Sequence, residues 1–375
     1  MSLARATLLH EWRRFLPGLL SVAFAGVLML VQLGLLLGMF GTVTVLVDRS
    51  DANLWVTSPE TESFDQSRDI PANLGALLRL HPAVARSETL LVHDADWRSG
   101  DDTRVAVTLV GLTPAADALA CPQPMRAALC AKLAEPSAVV IDRGEADKLH
   151  TGVGRLGEVN GHRVRVVGLS EGLRSIGNTY VFASSQTARY LSEPSATGED
   201  LTTFVLAKAR SDAPEAVRDD LQALLHRPAY RIWTDREFSY NSQRWWLTES
   251  GVGAGFLFSS LLGLIIGTVI TSQTLRGVIL STLREYATFR AIGVPAAKLS
   301  AVVLEQSLWI GVLGALLTVL VSVLANALAQ TLYVPLVLTW WAVLAAVLIG
   351  LITAVISGLL ALRELYRLQP AELLR

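Results

Sequence analysis

Residues 283–299 read LREYATFRAIGVPAAKL and set Arg284, Glu285, Arg290 and Lys298 between two long apolar runs. No nucleophile–base pair or metal-ligand set accompanies them, so these charges suit ionic contact rather than catalysis. Hydrocarbon excludes such groups, which places the island in water at a membrane surface. Residues up to Ile292 suit a helix. Gly293 suits a left-handed helix end, and Pro295 the first turn of a new helix. A polar helix and a sharp turn held between two spans would pass force to a partner on the same side.

Other chemistry is sparse. The chain has no G-x-x-x-x-G-K-[ST] phosphate loop, no G-x-S-x-G elbow and no H-E-x-x-H pair. Gly152, Gly154 and Gly157 form a glycine cluster without the strand–helix context of a dinucleotide site. Two cysteines, Cys121 and Cys130, lack further ligands at zinc spacing, and the six histidines are scattered. In an oxidising compartment the cysteines could pair across a small loop, or they could stay as two thiols. Glu305 lies about one turn into an apolar run, close enough to Lys298 to reach water. Proton-coupled transport would leave acids deeper in the spans. The reading is a non-catalytic chain with no cofactor and no nucleic-acid partner.

The positioning elements are membrane spans. Of 375 residues, 51% are hydrophobic, and no charge occurs in residues 15–47, 250–275 or 306–362. A bilayer core needs about 20 apolar residues per helix. The first two runs supply one span each and the third two, with a break near residues 330–335. The first run is too long for a cleaved signal. Residues 1–18 read as an amphipathic elbow: Leu3, Leu8, Trp12 and Phe15 share a face, and Pro17-Gly18 ends it. Outside residues 48–249 there are 10 basic and 5 acidic residues; within them, 22 and 28. Positive flanks stay inside, so both termini and the island are cytoplasmic and residues 48–249 are outside.

The expected division is 19–47 for the first span, 48–249 for the outer domain and 250–275 for the second span. A coupling segment at 276–300, spans at 301–328 and 337–362 around a loop at 329–336, and a tail at 363–375 complete it. In the outer domain, strands at 53–57, 84–93, 104–111, 202–208 and 230–234 and helices at 71–80 and 213–225 suggest an α/β sandwich. An insertion at 113–198 would form a small β-rich subdomain, with strands at 138–141 and 180–183 and a helix at 144–149. Asn160-Gly161 marks a hairpin there. Residues 235–249 return as a polar stalk helix. The fold class is an α-helical membrane protein with four transmembrane helices plus an α+β extracytoplasmic domain.

In the second span, Gly251, Gly255, Ser259, Gly263, Gly267 and Thr271 recur every four residues. Such a stripe lets another backbone approach, within the protein or across a dimer axis. Trp245-Trp246 and Trp340-Trp341 stand at span ends, where interfacial anchors would be.

In this order the segments resemble the FtsX/MacB-type permeases of ABC transporters. Glu285-Tyr286-Ala287-Thr288-Phe289-Arg290-Ala291-Ile292-Gly293 is similar to Glu-Tyr-Ala-Thr-Leu-Lys-Ala-Met-Gly of the DevC-type, glycolipid-exporting branch. Phe24-Ala25-Gly26-Val27-Leu28-Met29 through Gln32-Leu33-Gly34 is similar to that branch's first span. Leu368-Gln369 followed by Pro370-Ala371-Glu372-Leu373-Leu374-Arg375 resembles the family's Pro-Ala-x-x-x-Arg ending. Glu285-Tyr286-Ala287 departs from the Glu-Ile-Gly of many members, which weakens transfer from lipoprotein-releasing ones.

The resemblance implies a separate ABC ATPase that binds ATP and Mg, a second permease copy, a periplasmic membrane-fusion adaptor and an outer-membrane channel of the TolC type. Membrane lipids would surround a bacterial inner-membrane location. It also implies a porter-like part at 48–112 and 199–235 and a Sabre-like part at 113–198. Export of a lipid-like or amphipathic substrate would proceed by mechanotransmission. Arg284, Glu285 and Arg290 would contact the ATPase, and Gly293 and Pro295 would fix the turn. The alternative is a signalling or scaffold protein of the same fold that activates a cell-wall hydrolase without moving cargo.

Overall fold

A computed structural model describes residue 10 and residues 12–126, 128–175, 177, 179–192, 200–224, 229–281 and 295–367. The chain divides into two compact units, one of Met39–Gly251 and one of Met1–Gly38 with Val252–Arg375.

Helix α1 (Trp12–Val43) runs through Pro17. The elbow expected to end at Pro17-Gly18 is therefore not set off from the first span. The missing N–H of Pro17 costs the helix one ladder bond. Ser21 Oγ donates to the Pro17 carbonyl at 2.8 Å. A short helix, α2 (Val45–Asp48), follows within the outer unit.

Four antiparallel strands form the open part of the sheet: β1 (Leu54–Thr57), the first half of β3 (Val84–Arg98), β10 (Phe204–Ala209) and β11 (Arg231–Thr234). Their order is β11-β1-β10-β3. One face carries Val56, Val205 and Ala207 against α3 (Leu74–Arg79) and α5 (Pro214–Leu224). Alternation puts Trp55, Phe204 and Trp233 on the other face, with Phe64 and Phe238. Strands β2 (Ile70–Pro71) and β9 (Leu201–Thr202) pair in a small separate sheet.

Residues 84–90 of β3 pair with β10, and residues 91–98 pair with β4 (Arg104–Leu112). From β4 the sheet continues through β8 (Thr179–Ser184), β5 (Ala138–Asp142), β7 (His162–Ser170) and β6 (Leu156–Val159). Trp97 and Arg98 then pair with Val159 and Glu158, which closes six strands into a barrel. Alternate apolar residues of all six strands, among them Trp97, Val107, Val139 and Val181, fill it. β8 is buried along its whole length, because the barrel core lies on one side and the main core on the other. Helix α4 (Ser185–Leu191) adds Ala188 and Leu191 to the barrel core.

The expected boundary at 112/113 does not divide this sheet. Residues 113–198 supply four staves of the barrel, and β3 and β4 supply the other two, so the insertion is not a separate subdomain. The Asn160-Gly161 turn is present, with φ of +49° and +79°. The helix expected at 144–149 shrinks to one 3₁₀ turn, Arg143–Glu145. Cys121 and Cys130 are fully buried and joined as a disulfide, with Cα atoms 6.3 Å apart.

Helix α6 (Asp235–Thr248) ends the outer unit. Beyond it lie α7 (Val252–Ser281), α8 (Ala296–Thr331) and α9 (Trp340–Arg367). Among the described residues, four helices are long and apolar enough to cross a membrane: Phe15–Val43, Val252–Thr274, Ser300–Thr331 and Trp340–Leu359. Small residues set their spacing. A Cβ on Gly26 would stand 3.2 Å from Thr318 Cβ, and one on Gly311 3.0 Å from Ala354 Cβ. The linker of residues 332–339 starts in a turn and forms neither helix nor strand, and its Val337 N–H donates to the Gly34 carbonyl of α1 at 3.1 Å.

Candidate functional site

Of the expected coupling residues, Arg284, Glu285, Arg290 and Gly293 lie outside the described residues. Pro295 is the N-cap of α8, one position ahead of the first turn, and its carbonyl accepts the Lys298 N–H at 2.9 Å.

The small-residue stripe divides. Gly251 lies before α7 at φ +76°, so it serves the turn and not a helix face. A Cβ on Gly255 would meet nothing within 4 Å. Lower down, Ser259 Oγ accepts from Gln32 Nε2 at 2.7 Å, and Gly263 faces Leu28. At Gly267 a Cβ would overlap Ala25 and stand 3.3 Å from its Cα. This half of the stripe seats α7 on α1 of the same chain.

Helix α6 carries the best-defined polar constellation. Thr234 and Glu237 form a reciprocal capping box at its start, which anchors it to β11. Phe238, Ser239 and Ser242 then face inward at helical spacing. Residues 58–68 wrap the opposite end. Ser242 Oγ accepts the Phe64 N–H at 3.1 Å, and Asn241 Nδ2 donates to the Glu62 carbonyl at 2.7 Å. Trp245 Nε1 donates to Glu62 Oε2 at 2.7 Å, and Trp246 Nε1 to Asp65 Oδ2 at 3.2 Å. Gln243 Nε2 reaches Thr44 Oγ1 at 3.2 Å. The two indoles expected as membrane anchors are thus donors to carboxylates of the outer unit. An indole N–H next to an acid-rich loop (Glu60, Glu62, Asp65) is the signal that sequence reading passed over. Trp340 stands exposed at the first residue of α9.

Beside α6 lies a cleft of two lobes, about 850 and 720 Å³. Pro59, Arg231, Asn241 and Arg244 line both. Positions 237, 240, 241, 244 and 248 recur at three or four residues, which turns them to one side of the helix. Arg231 is reached from the edge strand β11, and its guanidinium lies 3.6 Å from the Trp233 ring centroid. Burial lowers its pKa and the charge of Arg244 adds to this, against the pull of Glu237. Glu237 is itself held low by Arg218 and the Thr234 cap, which outweigh its burial.

Asp65 is partly buried, and loss of water raises its carboxyl to about 6; Asp94 adds to the rise and the Trp246 N–H opposes it. Its ordinary value is 3.8. The native state therefore holds the proton more tightly than the unfolded chain between about 4 and 6. Stability should fall as pH rises through that window, by up to about 3 kcal/mol. Asp65→Asn keeps an acceptor for Trp246 and should flatten this slope. Melting of the purified chain from pH 4 to 7 checks it, and an unchanged slope in the variant would refute it.

Among the described residues, no group of three His, Cys, Asp or Glu side chains comes together as a metal site. The cleft can bind and hold; it contains no aligned nucleophile and base.

Two family models match the chain. The MacB-like periplasmic core domain covers residues 19–224, and the FtsX-like permease C-terminal covers residues 257–370. Among solved structures, the periplasmic region of MacB from Actinobacillus actinomycetemcomitans is 12% identical with a TM-score of 0.35, over 51% of this chain and 92% of that one. The extracellular domain of the ABC-type transporter YknZ from Gram-positive bacteria is 14% identical with a TM-score of 0.34, over 48% and 99%. No curated protein matches the chain.

Proposed function

The chain belongs to the MacB-like family and ends in an FtsX-like permease part, and from that premise we propose that it is the membrane subunit of an ABC exporter driven by a separate ATPase. The observation that carries this reading is the order of the two matched parts, with four candidate spans among the described residues. The ATPase docks on residues 284–298 in the cytoplasm. Its stroke passes through α7 and the bonded stalk α6 to the outer unit, which handles a lipid-like or amphipathic cargo of the kind suited to the DevC-type branch. The unit works as a pair of permease copies, with a periplasmic adaptor and a TolC-type channel beyond. The Cys121–Cys130 disulfide supports an oxidising, periplasmic side for the outer unit.

Purification of the tagged chain from its own membranes tests this. An ATP-hydrolysing subunit should co-purify and should be stimulated on reconstitution. Absence of any such subunit would overturn the proposal, and a cell-wall hydrolase in place of an adaptor would favour the signalling alternative.

A further inference from the structure

Arg231 and Arg244 come from different elements, an edge strand and the helix beside it, yet both line both lobes of the cleft. Among the described residues, neither guanidinium makes a hydrogen bond or an ion pair. The acids nearby are engaged. Glu60 pairs with Arg68 at 3.0 Å, Glu62 and Asp65 accept from the two indoles, and Glu237 and Asp219 pair with Arg218. Glu249 is exposed and lines only the larger lobe. The smaller lobe is also lined by Asp219 and Glu237, and Glu237 attracts Arg231; both carboxylates pair with Arg218, which leaves Arg231 and Arg244 as the cations of that lobe without an ion-pair partner. Trp233 takes the face of the Arg231 guanidinium, and stacking of that kind leaves the N–H donors in the guanidinium plane available.

We propose that this cleft binds the anionic headgroup of an amphiphile, with Arg231 and Arg244 as the ligands of its phosphate or carboxylate. The proposal rests on the exporter reading and names the chemistry of the cargo or lipid that the outer unit takes. Two guanidinium groups suit an oxyanion, which accepts several N–H bonds at once. Tyr230, Ile232, Trp233 and Tyr240 line the smaller lobe and give an apolar seat for the part of the ligand next to its charge. Tyr240 is 70% exposed, a large apolar area left open on that wall. The source of the ligand is the bilayer. Glu249 at the rim precedes Val252, the first residue of a span, by three residues, a tether of at most about 11 Å.

The test uses the full chain in phosphatidylcholine nanodiscs, titrated calorimetrically with dihexanoyl-phosphatidylglycerol, dihexanoyl-phosphatidylcholine or inorganic phosphate. The anionic lipid should bind saturably, the zwitterionic one should not, and phosphate should bind at least tenfold more weakly than the anionic lipid. Arg231→Gln with Arg244→Gln should weaken the anionic lipid at least tenfold, the loss expected for charge-assisted bonds. Should the double variant misfold, the exposed Arg244 carries the test: Arg244→Gln must weaken binding, and Arg244→Lys must restore most of it. Equal binding of both lipids, equal binding of free phosphate, or unchanged affinity in the glutamine variants would overturn the proposal. ATPase co-purification of the same variants separates the two readings. If it persists while lipid affinity is unchanged, the headgroup site falls and the exporter stands.

Discussion

Gly38→Val should abolish accumulation of folded chain in the membrane. A Cβ at this position of α1 would overlap the Pro335 carbonyl oxygen and stand 2.5 Å from its carbon. The obstacle is backbone, so no rotamer change relieves it. Retreat of residues 332–339 would break the Val337 N–H bond to Gly34, which ties the backbone of this apolar linker to the span. Overpacking costs about 1–3 kcal/mol, and an orphaned peptide group in apolar surroundings costs a similar amount again. Against a total stability of about 5–15 kcal/mol, a sum of about 2–6 kcal/mol removes a large share of the margin. Gly41→Ala is the control, since a Cβ there meets nothing within 4 Å. Detergent size-exclusion profiles and melting of the two variants decide the matter, and a wild-type profile for Gly38→Val would refute the packing argument.

The second large effect is on activity. Glu285→Ala, Arg290→Ala and Gly293→Val together should leave insertion intact and return ATP hydrolysis by the reconstituted complex to its unstimulated level. Each charged contact at such a docking surface contributes about 1–3 kcal/mol, so losing two weakens docking by tenfold or far more. Valine at Gly293 adds strain if the turn requires a positive φ. These residues lie outside those whose structure is described, so the prediction rests on the charged island and its family resemblance. Stimulation unchanged within about twofold would show that the island does not couple the two chains.

Much of the outer unit was legible because its strands alternate or run apolar where they are buried on both sides. The Asn160-Gly161 turn and the Thr234–Glu237 capping box are local signals, and local signals survive folding. Barrel closure was not legible. It depends on Trp97 and Arg98 meeting Val159 and Glu158, some 60 residues away, and no short-range pattern announces such a pairing. Pro17 misled for the opposite reason: a local rule yielded to the continuous apolar helix around it. At Trp245 and Trp246 the position next to a span was legible, but the bonds of their indoles to Glu62 and Asp65 depend on the fold and were not. Arg231 and Arg244 are 13 positions apart on a strand and a helix, and only the packing of those two elements puts both on one cleft.

The shared strand β3 bears on how such an outer unit can change over evolutionary time. Its first seven residues belong to the open sheet and its last eight to the barrel. Residues 113–198 therefore cannot travel between relatives as a cassette. Lifted out, they would carry four staves and leave two behind, and both fragments would expose raw strand edges to whatever chain came by.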